Sequence, residues 1–160
     1  MKNVLVFFFL LCSCFMNAQT SCRVEVEKDK FTDKTTIRTP FTSGSEIPPI
    51  SFGKMIKGSD TTFFLIIYLS QRYGNYSGKG AYLIFQDGEK WVKESQPVEV
   101  KYISSNLYSY YTSFYLNKDD VDRLSKIKVT DVKLSDAAVE VKPTFAENFI
   151  CSVNKVLEYK

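Results

Sequence analysis

The residues of this sequence best suited to touching a ligand are tyrosines, and the clearest group lies in one short run. Between Tyr108 and Leu116 a strand's alternation places Tyr108, Tyr110, Thr112, Phe114 and Leu116 on one face and Ser109, Tyr111, Ser113 and Tyr115 on the other. The first set is apolar enough to fill a core. The second, Ser-Tyr-Ser-Tyr, suits a partly wet surface that stacks flat rings and donates hydroxyls, as glycan and peptide sites do. Arg72, Tyr73, Asn75 and Tyr76 add the same chemistry on a glycine-rich loop. Arg72, Tyr73, Tyr76, Tyr111 and Tyr115 are therefore the candidate ligand-binding residues. Ordinary cross-strand packing of tyrosines against a neighbouring layer is the competing account of the same pattern.

Catalysis has fewer footholds. The chain contains no histidine, which removes the usual general base, the commonest metal ligand and every Ser-His or Cys-His nucleophile pair. A hydrolase would have to work with carboxylates. Asp119, Asp120 and Asp122 are clustered, but they fall in the first turn of a predicted helix, where acidic side chains complement the dipole, and the ligand spacing of a calcium loop is missing. Asp29 and Asp33 flank Phe31 and could offer oxygens to a cation; Asx-type bonds to the backbone explain them as well. Gly74, Gly78 and Gly80 open onto a strand rather than a helix and lack the Gly-Lys-Ser/Thr ending of a phosphate loop. No catalytic residue, metal site or cofactor site is predicted.

These side chains need a compartment and a frame. Met1-Lys2-Asn3, the apolar run Val4 to Leu11 and the small residue Ala18 read as a secretion signal over residues 1–18, leaving residues 19–160 as one domain. The apolar run is shorter than the roughly 20 residues that a bilayer-spanning helix requires, so no transmembrane segment is expected in the mature chain. Leu11-Cys12-Ser13-Cys14 also approximates a lipobox, which would instead leave Cys14 as a lipid anchor. Either reading exports the protein to a periplasmic or extracellular location. Net charge is +3, with basic residues scattered among acidic ones, so nucleic acid is not an expected partner. Cys22 and Cys151 remain after cleavage where oxidation is permitted. On a regular helix Cys151 falls opposite the apolar face of Ala146, Phe149, Ile150, Val153 and Leu157, so a bridge requires the N-terminal segment to cross outside that helix. A disulfide and two free thiols both stay open.

Alternation predicts strands over Cys22 to Lys28 and Thr35 to Thr39, then a hairpin of Ile50 to Ile56 and Thr61 to Leu69 around Lys57-Gly58-Ser59-Asp60. The second of that pair is apolar on both faces and is expected to be covered on both. Ala81 to Gln86 and Glu89 to Lys93 close around Asp87-Gly88. Val98 to Ile103 turns at Ser104-Ser105-Asn106 into the tyrosine strand, and Asn117 caps a short helix with Asp120 reaching back. Ile127 to Leu134 and Ala137 to Val141 follow, and Pro143 starts a terminal helix. The expected fold is α+β and β-rich: an antiparallel meander in two sandwich-like layers, with a short helix and a C-terminal helix late in the chain.

The Asn-Ala-Gln end of the leader, the Asp29-x-Phe31-Thr32 turn, the Gly80-x-Tyr82-Leu83-Ile84-Phe85-x-Asp87-Gly88-x-Lys90-Trp91 hairpin and the late helix-strand-strand-helix order resemble small exported proteins of Bacteroidetes that form uncharacterised families. The resemblance implies an α+β fold and an envelope or extracellular location, and brings no activity with it. The functional expectation is a non-catalytic binding or accessory module of the cell envelope whose partner is a glycan, a peptide or an envelope protein. A structural or inhibitor-like protein that pairs an edge strand with its partner is the alternative, and a carboxylate-dependent hydrolase comes third.

Overall fold

The strands form where β-branched and aromatic residues alternate, and they stop at residues able to take positive φ. A computed structural model describes residues 22–41, 49–72 and 78–159. Its strands are β1 (Glu25–Lys28), β2 (Lys34–Arg38), β3 (Ile50–Lys57), β4 (Asp60–Arg72), β5 (Lys79–Phe85), β6 (Lys90–Pro97), β7 (Glu99–Ser104), β8 (Leu107–Tyr115), β9 (Val129–Leu134) and β10 (Ala137–Glu140). Two helices, α1 (Lys118–Lys126) and α2 (Pro143–Glu158), complete the described elements. Ser105 and Asn106, at φ 44° and 63°, form the two-residue turn between β7 and β8 as a type I′ hairpin requires. At Asp87-Gly88 the turn is one residue longer: the Gly88 amide donates to Phe85 O, Phe85 N donates to Glu89 O, and Gly88 takes φ 82°.

All strand pairings are antiparallel, in a six-stranded sheet of order β1-β2-β3-β4-β8-β7 and a four-stranded sheet of order β10-β9-β5-β6. The chain meanders through the first four strands, leaves for the second sheet with the β5–β6 hairpin, and returns to set β8 beside β4. The large sheet forms one layer. The small sheet and α2, which contacts β2, β3 and β9, form the other.

Between the layers lie Ile37, Phe52, Leu65, Ile67 and Tyr110 from the large sheet, Leu83, Phe85, Val132 and Leu134 from the small one, and Ala146, Phe149, Val153 and Val156 from α2, all buried. Ile150 and Leu157, expected on the apolar face of α2, are only half-buried, while Ser152 and Val156 are buried in their place. The helix is rotated slightly from the most apolar orientation. Asn117 caps α1 in a full capping box with Asp120, whose carboxylate also accepts the Trp91 indole N–H at 2.8 Å. Trp91 stacks on Phe114 at 4.7 Å between ring centroids. Arg123 of α1 reaches Asp87 at 2.8 Å, pairs with Glu89 and lies over the Phe85 ring, tying the β5–β6 turn to the helix.

Cys22 and Cys151 are bonded, with Cα atoms 5.5 Å apart and 129 positions between them in sequence. The helical-wheel objection is met by the route it demanded: residues 22–24 are not in a ladder, and the Cys22 carbonyl accepts Lys155 Nζ at 2.9 Å on the outward flank of α2. Only from Glu25 does the segment join the sheet edge. Among the described residues, no helix is long and apolar enough to cross a membrane. Residues 1–18, read from sequence as a secretion signal, and Cys14 among them lie outside the described residues.

Candidate binding face

Register decides which side chains share the outer face of the large sheet. Phe64 sits opposite Tyr115, Ile66 opposite Ser113, Tyr68 opposite Tyr111 and Ser70 opposite Ser109 across the β4–β8 ladder. Directly opposed residues point the same way, with Cβ atoms about 5 Å apart, so these pairs form two adjacent rows. Their sequence neighbours Leu65, Ile67, Leu69, Tyr110 and Thr112 point into the core and are buried. In the outward rows Tyr115 is 71% exposed, while Phe64, Ile66, Tyr68 and Tyr111 are half-buried.

β3 supplies the floor beside these rows. Gly53 lies opposite Phe64, and a Cβ built on Gly53 would stand 2.3 Å from Phe64 Cζ. The missing side chain thus lets the Phe64 ring lie down across the neighbouring strand. After β2 the Ser51 hydroxyl donates to Thr39 O at 2.9 Å, and Phe41 then meets Tyr68 edge to face at 6.1 Å. Phe41 stands beside the rows at Tyr68.

Formal charge is kept to the margins of this face. Arg38 pairs with Glu25 at 3.0 Å across β1 and β2, and Lys101 pairs with Glu99 at 2.7 Å along β7. The Glu99 carboxylate holds the Lys101 ammonium above its usual pKa, through its hydrogen bond first and its charge second. Arg72, exposed at the end of β4 opposite Leu107, continues the row beyond Ser70.

Of the residues picked out from sequence, the structure brings Tyr111, Tyr115 and Arg72 onto this face; Tyr73 and Tyr76 lie outside the described residues. Phe64, Ile66 and Tyr68 were missed as surface residues because β4 reads as covered on both sides. The core covers one side only; the other is the half-buried aromatic face. The signal that could have exposed them was the β4–β8 pairing, which skips three intervening strands.

Three of the carboxylate candidates, Asp29, Asp120 and Asp122, have structural occupations. Asp29 accepts the Phe31 amide at 2.8 Å and the Thr32 hydroxyl at 2.5 Å, an Asx-type turn, and those bonds, the hydroxyl's first, hold its carboxyl below the usual range. Asp122 pairs with Lys126 along α1 at 2.6 Å. Among the described residues no group of three or more His, Cys, Asp or Glu is arranged to hold a metal. A small recess between α1 and the sheets is lined mainly by Leu65, Leu83, Phe85, Trp91 and Leu124. Asp120 and Arg123 at its rim are already bonded to Trp91 and the β5–β6 turn. Comparisons with protein-family models, with curated proteins and with solved structures find no match to this chain.

Proposed function

We propose that this chain is an exported, non-catalytic binding or accessory module of the cell envelope, and that it docks its partner on the outer face of the six-stranded sheet. The observation that carries this reading is the cross-strand arrangement Phe64–Tyr115, Ile66–Ser113 and Tyr68–Tyr111, which lines rings and hydroxyls along two interior strands on the side away from the core. Aromatic rings there lose little conformational freedom on binding and offer both stacking area and hydrogen-bonding tips. The Cys22–Cys151 bridge supports the exported location, because such a bond persists in oxidising compartments.

The test is an NMR titration of isotope-labelled protein with envelope extract separated into glycan, peptide and protein fractions. Shifts confined to the outward residues of β4 and β8, and lost in a Tyr111→Ala/Tyr115→Ala variant, are expected from one fraction. Shifts that map to another surface, or that survive in the variant, overturn the reading.

The second reading, strand pairing with a partner, draws on β7. This edge strand carries Tyr102 at 62% and Ile103 at 46% exposure next to the tyrosine strand. Its Glu99–Lys101 pair and the irregular register between Tyr102 and Ser104 are features that discourage edge pairing, and this places it second.

A further inference from the structure

We infer that the ligand of the outer face is a neutral polysaccharide lying along the rows of β4 and β8; this rests on the binding reading above and narrows it to one chemical class.

Charge is the first argument. The paired rows from Phe64 to Ser70 and from Ser109 to Tyr115 contain no ionisable group that is charged at neutral pH. Of the flanking charges, Arg38 is paired with Glu25 and Lys101 with Glu99, and Arg72 stands beyond Ser70 at the far end of the row from Tyr115. An anionic polymer, a lipid headgroup or an acidic peptide lying along Phe64 to Ser70 would press most of its charge against rings with no counter-charge beside them, at a desolvation cost.

Hydroxyls are the second. Ser113 and the phenols of Tyr111 and Tyr115 alternate with ring faces along β8. A purely apolar partner would strip these groups of water without replacing their hydrogen bonds. A sugar ring answers both needs, since its C–H faces stack on aromatic rings while its rim of hydroxyls reaches the serine and tyrosine oxygens.

Backbone satisfaction is the third. An extended peptide docks on sheets chiefly by adding to an edge ladder. Here β4 lies between β3 and β8, and β8 pairs with β4 along its length and with β7 as far as Tyr111, beyond which the Gln96 side chain takes up the Ser113 carbonyl. Most of the backbone along the rows is therefore already bonded, and recognition falls mainly to side chains. Tyr111 and Tyr115 are four strand residues apart, about 13 Å, and the rows are open at the Tyr115 end, which suits a polymer lying across the face rather than a chain end in a pocket.

The test is affinity gel electrophoresis of the disulfide-bonded protein in gels carrying xylan, mannan or mixed-linkage β-glucan, with polygalacturonate and dextran sulfate as anionic arms. At least one neutral polymer is expected to retard the protein, with retardation unchanged up to about 0.5 M salt because no ion pair is formed. Tyr111→Ala/Tyr115→Ala should weaken it by about tenfold, and the exposed Tyr115→Ala alone, which leaves the fold untouched, by severalfold. Failure of all three neutral polymers, equal retardation of wild type and Tyr115→Ala, or salt-sensitive retardation by the anionic arms alone overturns the inference. Were the NMR titration still to map a peptide or protein fraction onto β4 and β8, the docking face would stand and only its saccharide assignment would fall.

Discussion

Lys54 Nζ donates to the carbonyl oxygen of Leu157 at 3.1 Å, across 103 positions of sequence, and also to that of Tyr159. A lysine on the core-facing side of β3 thereby caps the C-terminal end of α2, where unpaired carbonyls and the negative end of the helix dipole favour a cation. Lys54→Ala strands those carbonyls and leaves a void, and should cost roughly 1.5–3 kcal/mol in urea denaturation. Lys54→Met, which keeps the packed stem, should cost less. Equal stability of wild type and Lys54→Ala would show that the cap contributes nothing.

The same burial sets a pH dependence. Desolvation lowers the Lys54 pKa from its ordinary 10.5. Between the lowered value and 10.5 the unfolded chain holds a proton that the folded chain has released, so this group's contribution to stability rises with pH across that window and is flat below it. Subtracting the pH profile of Lys54→Met from that of wild type should leave this rise, and a falling or flat difference would contradict the assignment.

Reduction should loosen both ends of the chain together. The Cys22–Cys151 bond closes a loop of 129 positions, for which chain entropy gives about 5 kcal/mol as the most it can contribute. A Cys22→Ser/Cys151→Ser variant should lose several kcal/mol of that and show hydrogen exchange rising first in residues 22–28 and in the outward half of α2. Unchanged midpoints with and without reductant would mean that the Lys155–Cys22 contact and the β1 ladder hold the segment by themselves.

How far these relationships were legible follows from the range over which each acts. The outward placing of Tyr111 and Tyr115 was readable because a strand's period of two operates within one segment. The capping box at Asn117 and Asp120 is equally local and the structure has it as read, while the turn read at Ser104-Ser105-Asn106 narrows to Ser105-Asn106 because Ser104 still pairs with Leu107. Phe64, Ile66 and Tyr68 were misplaced because their surroundings depend on which strand lies beside β4, and the β5–β6 hairpin leaves for the other sheet before β8 arrives. Lys54 shows the same limit: alternation with Ile50, Phe52 and Ile56 marks it as inward-facing, but the carbonyls that accept its protons belong to the far end of the chain. The disulfide was left open because periodicity places Cys151 on the outward flank of α2 and says nothing of a segment crossing there.

Gly53→Ala separates stability from binding. Its new Cβ must displace the Phe64 ring, yet that ring is the free end of a side chain on the outward face and can swing away. Alanine also restricts the unfolded chain more than glycine does, so the net change in stability should stay within about 1 kcal/mol. Retardation by neutral polysaccharide should nonetheless fall, because the flat floor beside Tyr115 is gone. A variant with normal stability and undiminished retardation would remove Phe64 from the binding face.

Tyr110 is fully buried between the sheets, and its hydroxyl finds no hydrogen-bond partner among the described residues. An unsatisfied buried hydroxyl costs about 1–3 kcal/mol, so Tyr110→Phe should leave stability unchanged or raise it by up to that amount, the reverse of what a bonded tyrosine shows. Burial is also the first cause pushing the Tyr110 pKa up from 10.0, with the Asp136 charge adding to it. Above pH 10.0 the unfolded chain loses a proton that the folded chain keeps, so this group's contribution falls as pH rises, opposite in sign to that of Lys54. The Phe variant should abolish that fall while leaving the Lys54 rise intact. A loss of more than about 1 kcal/mol in Tyr110→Phe would instead show that an internal water satisfies the hydroxyl, since only a bonded group can be missed when it is deleted.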